Sequence, residues 1–120
     1  MKREDFENSL KMYKEVFDEE LEGTVAKWIS CSEQSPLGMT MCTEECAELI
    51  MSLSKYLRYG LTDNIKFDIL EEIADVSLSI DYICDRLSVS KSEFNKAKNI
   101  KAERAITIRT GDSHDKIDKC

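Results

Sequence analysis

The hexad Glu44-Glu45-Cys46-Ala47-Glu48-Leu49 returns as Glu71-Glu72-Ile73-Ala74-Asp75-Val76. Both copies lie in stretches whose apolar residues recur every three or four positions, so both are predicted to be helical. On a wheel of 100° per residue, set Cys46 and Ile73 at zero. Glu45 and Glu72 then fall about 100° to one side, and Glu48 and Asp75 about 160° to that same side. What repeats is therefore a geometry as well as a string. Residues three apart on a helix sit one above the other, so each helix carries a short acidic edge. Two antiparallel neighbours with these edges facing would form one site of four carboxylates.

The rest of the chain permits such a pair. Only four Gly and one Pro interrupt its 120 residues, which favours helix throughout. A first helix is predicted from about Arg3 into the twenties, with Phe6, Leu10, Tyr13, Phe17, Leu21, Val25 and Trp28 as its stripe. Ser35-Pro36 reads as an N-cap followed by Pro at the first helical position. The second helix should then run to about Tyr59 and stop at Gly60, with Cys42, Cys46, Leu49, Ile50, Leu53 and Leu57 as its apolar stripe. Thr62-Asp63-Asn64 begins a third helix, to about Leu87, whose stripe is Ile69, Ile73, Val76, Ile80, Ile83, Cys84 and Leu87. Ser90 and Glu93 have capping-box spacing and start a fourth. Short links favour antiparallel packing. The expectation is an all-α bundle of about four main helices: one domain over 1–108, a flexible tail over 109–120, and apolar stripes that suit self-association.

Charge and cysteine usage narrow the function. A net charge of −7 argues against nucleic acid as a partner, because phosphate backbones require a Lys/Arg surface. No apolar run is long enough to span a membrane. The five cysteines form no CxxC pair, and the single histidine, His114, lies near the C-terminus; zinc is therefore not expected. Cys42, Cys46 and Cys84 sit among apolar residues, where Cys acts as a small hydrophobe. The odd count, without a signal peptide, points to a reduced cytoplasmic setting.

Four carboxylates repel one another. At about 4 Å two like charges cost roughly 4 kcal/mol at an effective dielectric near 20. A divalent cation reverses that sign. Oxygen donors without His or Cys suit Mg²⁺, Mn²⁺ or Ca²⁺, and Mg²⁺ is the best suited to phosphate substrates. A ferritin-like di-iron site needs Glu-x-x-His pairs, which no helix here supplies.

Glu44-Glu45-x-x-Glu48 followed by Glu72-x-x-Asp75 resembles the signature of the MazG-like nucleotide pyrophosphohydrolases, the all-α NTP pyrophosphatase superfamily. Ser54-Lys55-Tyr56-Leu57-Arg58, between the two acidic segments, and the wider string Ile69 to Val76 are similar to its small, phage-type members. The resemblance spans about Ala26 to Arg104. It implies an enzyme that uses Mg²⁺, with Mn²⁺ as a substitute, to cleave a (d)NTP into (d)NMP and pyrophosphate. By the same resemblance Glu45, Glu48, Glu72 and Asp75 hold the metal, and relatives assemble as homodimers or homotetramers. Glu44 matches the first acid of the motif, which with Glu45 implies a catalytic part in positioning water, although the wheel sets Glu44 off the shared edge. Lys55, Arg58 and Lys98 match basic positions that meet substrate phosphates, and Trp28 an aromatic that stacks on a base. Two alternatives stand beside this reading. One is a phosphoribosyl-ATP pyrophosphohydrolase-like enzyme; the other is a non-catalytic helical dimer that binds nucleotide or metal.

Overall fold

The computed structural model describes the backbone of residues 1–32 and 35–110 and the side chains of 1–25 and 38–109. The expectations for the Trp28 side chain, the Ser35 cap and the tail beyond Thr110 lie outside the described residues. Five helices occur among them, and no strand: α1 Arg3–Leu10, α2 Glu19–Ser32, α3 Ser35–Tyr59, α4 Asp63–Arg86 and α5 Lys91–Thr110. The chain divides into two compact units, Met1–Arg86 and Leu87–Cys120. None of the described helices is long and apolar enough to cross a membrane.

The first predicted helix is in fact two. Asn8 and Ser9, which compete with helix through their own side chains, close α1. Backbone N–H groups of Lys11 and Met12 then turn back onto the Asn8 and Ser9 carbonyls at 3.3 and 3.0 Å. Asp18 starts the chain again: the Glu20 and Leu21 N–H groups donate to its Oδ1 at 3.0 and 3.1 Å, as an N-cap requires. Lys14 donates to the other oxygen at 2.7 Å and holds the Asp18 carboxyl below its ordinary range, with help from the Leu21 N–H. Residues 11–18 thus lie outside both helices, although their apolar periodicity imitates one continuous helix.

The remaining boundaries follow local chemistry. Gly60 takes φ +80° and donates its N–H to the Tyr56 carbonyl at 2.9 Å, stopping α3 where only glycine is unstrained. Thr62 Oγ1 accepts from the Ile65 N–H at 3.2 Å and caps α4. In the unit that carries α5, the Glu93 N–H donates to Ser90 Oγ at 3.1 Å. The Ser90 N–H donates in return to Glu93 Oε1 at 3.3 Å, completing the capping box.

Within the first unit, α3 and α4 run antiparallel and form the main pair, and α2 lies against α4. Their seam follows the acidic edges and leaves much of the apolar stripe outside it. Buried residues along it are Cys42 and Ser52 on α3 and Ser79 and Tyr82 on α4. Cys46 is exposed, as are Ile50 (63%), Leu57 (82%) and Ile73 (50%). The predicted apolar stripe is therefore not the α3–α4 seam. Wheel arithmetic places the real α3 seam about 80° from Cys46, toward the acidic edge. Small side chains explain the rotation. Gly38, Cys42, Ser52 and Ser79 let the two backbones approach, and the Cys42 thiol donates to the Ser79 carbonyl at 3.7 Å. Gly38 meets the ring of Tyr82, which is 1% exposed, so closely that no Cβ would fit.

Candidate metal centre

The rotated seam carries the acids into register. Cys42 faces Ser79, and the next turn of α3 brings Glu45 to Asp75; the turn after that brings Glu48 to Glu72. One carboxylate oxygen from each of Glu45, Glu48, Glu72 and Asp75 lies within 4.8 Å of every other. Glu45, Glu72 and Asp75 are half-buried and Glu48 is exposed, so the cluster is open on one side. Glu45 Oε2 and Glu72 Oε2 are buried without a hydrogen-bond partner. Orphaned buried oxygens are costly. Here two of them point to the same need, a cation.

Titration behaviour agrees with crowding. Burial pushes the Glu72 carboxyl up to about 7, and the nearby Glu48, Asp75 and Glu45 charges add to it. Burial also raises Glu45, with repulsion from Asp75 and Glu48 next. Asp75 is raised by burial and by Glu71, partly offset by sharing a proton with Glu45. Such groups hold protons when no metal neutralises them and release them when one does. An all-oxygen, all-carboxylate donor set could hold a hard cation such as Mg²⁺, Mn²⁺ or Ca²⁺, and does not suit a soft transition metal.

The other predicted site residues are placed less centrally. Glu44 is exposed and contributes no oxygen to the cluster. Lys55 and Arg58 are exposed on α3, the latter with its guanidinium 5.8 Å from the centre of the Tyr59 ring. Lys98 belongs to α5, where its ammonium lies 5.2 Å from the centre of the Phe94 ring. Cys46, expected on an apolar face, is open to solvent, Cys84 is half-buried, and Cys42 is buried.

Sequence reasoning missed Arg3. Its guanidinium pairs with Asp68 and lies 3.9 Å from Glu71, and it stands 5.9 Å from the centre of the Phe67 ring. Glu71, the first acid of the second hexad, thus lies between Arg3 and the cluster, where its charge still acts on Asp75. The partners are 65 and 68 positions apart in the chain, so no local pattern could reveal them. Gly38 did leave a signal: an isolated glycine inside a helical pattern marks close approach, here to Tyr82.

No protein family, no curated protein and no solved structure matches this chain. The functional reading rests on the site itself and on the motif resemblance.

Proposed function

We infer that this protein is a Mg²⁺-dependent nucleoside triphosphate pyrophosphohydrolase, of the all-α NTP pyrophosphatase type, producing a (d)NMP and pyrophosphate. One observation carries the reading: carboxylate oxygens from two copies of one hexad converge within 4.8 Å, two of the residues with orphaned buried oxygens. Glu45, Glu48, Glu72 and Asp75 would hold the cation. Bound there, Mg²⁺ would supply charge neutralisation for phosphate oxygens.

The chain's own residues do the rest. Water attacks one phosphorus in line, a new P–O bond forms, the α–β bridging bond breaks, and pyrophosphate leaves with the electron pair. Glu44, exposed and outside the cluster, would accept the proton of the attacking water, a role that its match to the first acid of the motif supports. No covalent intermediate on the protein is required. Lys55 and Arg58, farther along the same helix, supply positive charge for the phosphates.

Self-association belongs to the same proposal. Ile50, Leu53, Leu57 and Ile73 form an unpartnered apolar stripe on the α3–α4 pair. A second copy covering it would make a homodimer or homotetramer.

The test is pyrophosphate release from each dNTP and NTP with Mg²⁺. Glu48→Gln and Asp75→Asn are expected to lower turnover by about 100-fold or more, a loss typical of removing transition-state charge stabilisation. Unchanged turnover in both variants would refute the site. Metal binding with no turnover of any nucleotide would leave a sensor instead.

A further inference from the structure

The non-helical stretch 11–18 builds something that a continuous helix would not. Tyr13, Val16 and Phe17 join Leu21 and Val25 of α2 and Leu78 of α4 around a groove of about 440 Å³, a volume typical of small-ligand sites. Beside it lies a smaller compartment of about 120 Å³ whose walls include Cys42, Ser79 and two of the clustered acids, Glu45 and Asp75. Val25 and Leu78 border both cavities. The apolar groove therefore lies next to the compartment that holds the carboxylates, with Val25 and Leu78 between them.

Four charged residues, Lys14, Glu15, Asp18 and Glu22, also border the groove, and two of them are engaged with each other. Lys14 and Asp18 bond each other at 2.7 Å, and the Asp18 Oδ1 atom serves the first turn of α2. What the groove offers a ligand is chiefly apolar surface: Phe17 is 59% exposed and Val16 79%.

We propose that this groove seats the planar, apolar end of the substrate, the nucleobase, while the phosphates lie at the carboxylates. The inference rests on the phosphate reading of the acidic site and adds how the base is chosen. Selection is by apolar area and shape against Tyr13, Val16, Phe17 and Leu78. A ring bearing a methyl group is therefore preferred over the same ring without it, by about fourfold.

Affinity of the full chain in Mg²⁺, measured by calorimetry, tests this with three probes: inorganic tripolyphosphate, α,β-imido-dUTP and its 5-methyl counterpart α,β-imido-dTTP. Wild type is expected to bind both nucleotides more tightly than tripolyphosphate, and the methylated one about fourfold more tightly than the other. Phe17→Ala should weaken both nucleotides about tenfold, and Val16→Ala several-fold, while tripolyphosphate affinity stays unchanged. Both side chains are exposed, so neither variant threatens folding. Equal affinity for nucleotides and tripolyphosphate, or equal losses on all three probes, would overturn the base seat and leave the metal site standing. A fall in solution mass on Phe17→Ala would assign the groove to a second copy and overturn it too. If no probe binds, the phosphate reading of the acids fails and this proposal fails with it.

Discussion

Replacing Glu72 by Gln should make the metal-free protein more stable and the Mg²⁺-loaded protein less so. The reasoning starts from the Glu72 carboxyl, raised from an ordinary 4.5 to about 7 by burial and by Glu48, Asp75 and Glu45. An acid whose folded value is raised binds its proton more tightly when folded than unfolded. Its favourable contribution is fully present below about pH 4.5 and is lost as pH climbs to about 7. At about 1.4 kcal/mol for each pH unit, the full span is worth roughly 3 kcal/mol. The cluster is open on the Glu48 side, and solvent screening reduces that to about 1–2 kcal/mol.

In EDTA, wild type should therefore lose about 1–2 kcal/mol between pH 5 and pH 8. Glu72→Gln, an isostere that cannot ionise, should escape most of that loss. At pH 8 its melting temperature should exceed that of wild type by about 4–8 °C, using the usual scaling for a small domain. Saturating Mg²⁺ should invert the order, because a ligand at 100 times its Kd adds about 2.7 kcal/mol to whichever protein binds it. Thermal unfolding followed by circular dichroism, at pH 5 and 8, with EDTA or Mg²⁺, gives all eight values. A variant less stable than wild type in EDTA at pH 8 would refute the crowded-carboxylate argument. An equal Mg²⁺ gain in both proteins would refute Glu72 as a ligand.

Two further outcomes probe the frame around the site. Gly38→Ala places a Cβ against the Tyr82 ring, which is fully buried and has nowhere to move; it should cost about 1–3 kcal/mol in urea unfolding, and an unchanged midpoint would show that the helices are not so tightly apposed. Leu57→Glu, on the 82% exposed side of α3, should lower the solution mass measured by light scattering without lowering helix content, whereas an unaltered mass would place the contact between copies elsewhere.

The acids were legible because their geometry is local. Glu45 and Glu48 are one turn apart, Glu72 and Asp75 likewise, and a wheel drawn from sequence alone puts both pairs on equivalent edges. Helix ends at Gly60, Thr62 and Ser90 were legible for the same reason, since capping acts within a few residues. What covers the apolar stripe through Cys46 and Leu57 was not legible, because apolar periodicity shows that a face will be covered and does not show by what. Nor were the small residues of the seam, Gly38, Cys42, Ser52 and Ser79, since their effect depends on which helix approaches. The break at 11–18 was hidden too, because Tyr13, Phe17 and Leu21 keep helical spacing through a stretch that is not helical.

Where the seam falls bears on how the site works. Had the apolar stripes met each other, the four acids would have lain at the rim of the pair. The observed seam, about 80° from Cys46 on α3, instead turns Glu45 inward, leaves one buried oxygen of Glu45 and one of Glu72 without a partner, and leaves Ile50 and Leu57 outside. The cost of burying charge and the cost of exposing hydrocarbon thus share one origin. On the proposed function each would be offset by something a lone chain lacks: a cation at the acids, and a second copy on the stripe. Binding of the two should therefore be coupled, with Mg²⁺ fixing the α3–α4 rotation that presents the apolar face. Solution mass measured against Mg²⁺ concentration would expose that coupling, and a mass identical in EDTA and in Mg²⁺ at every protein concentration would refute it.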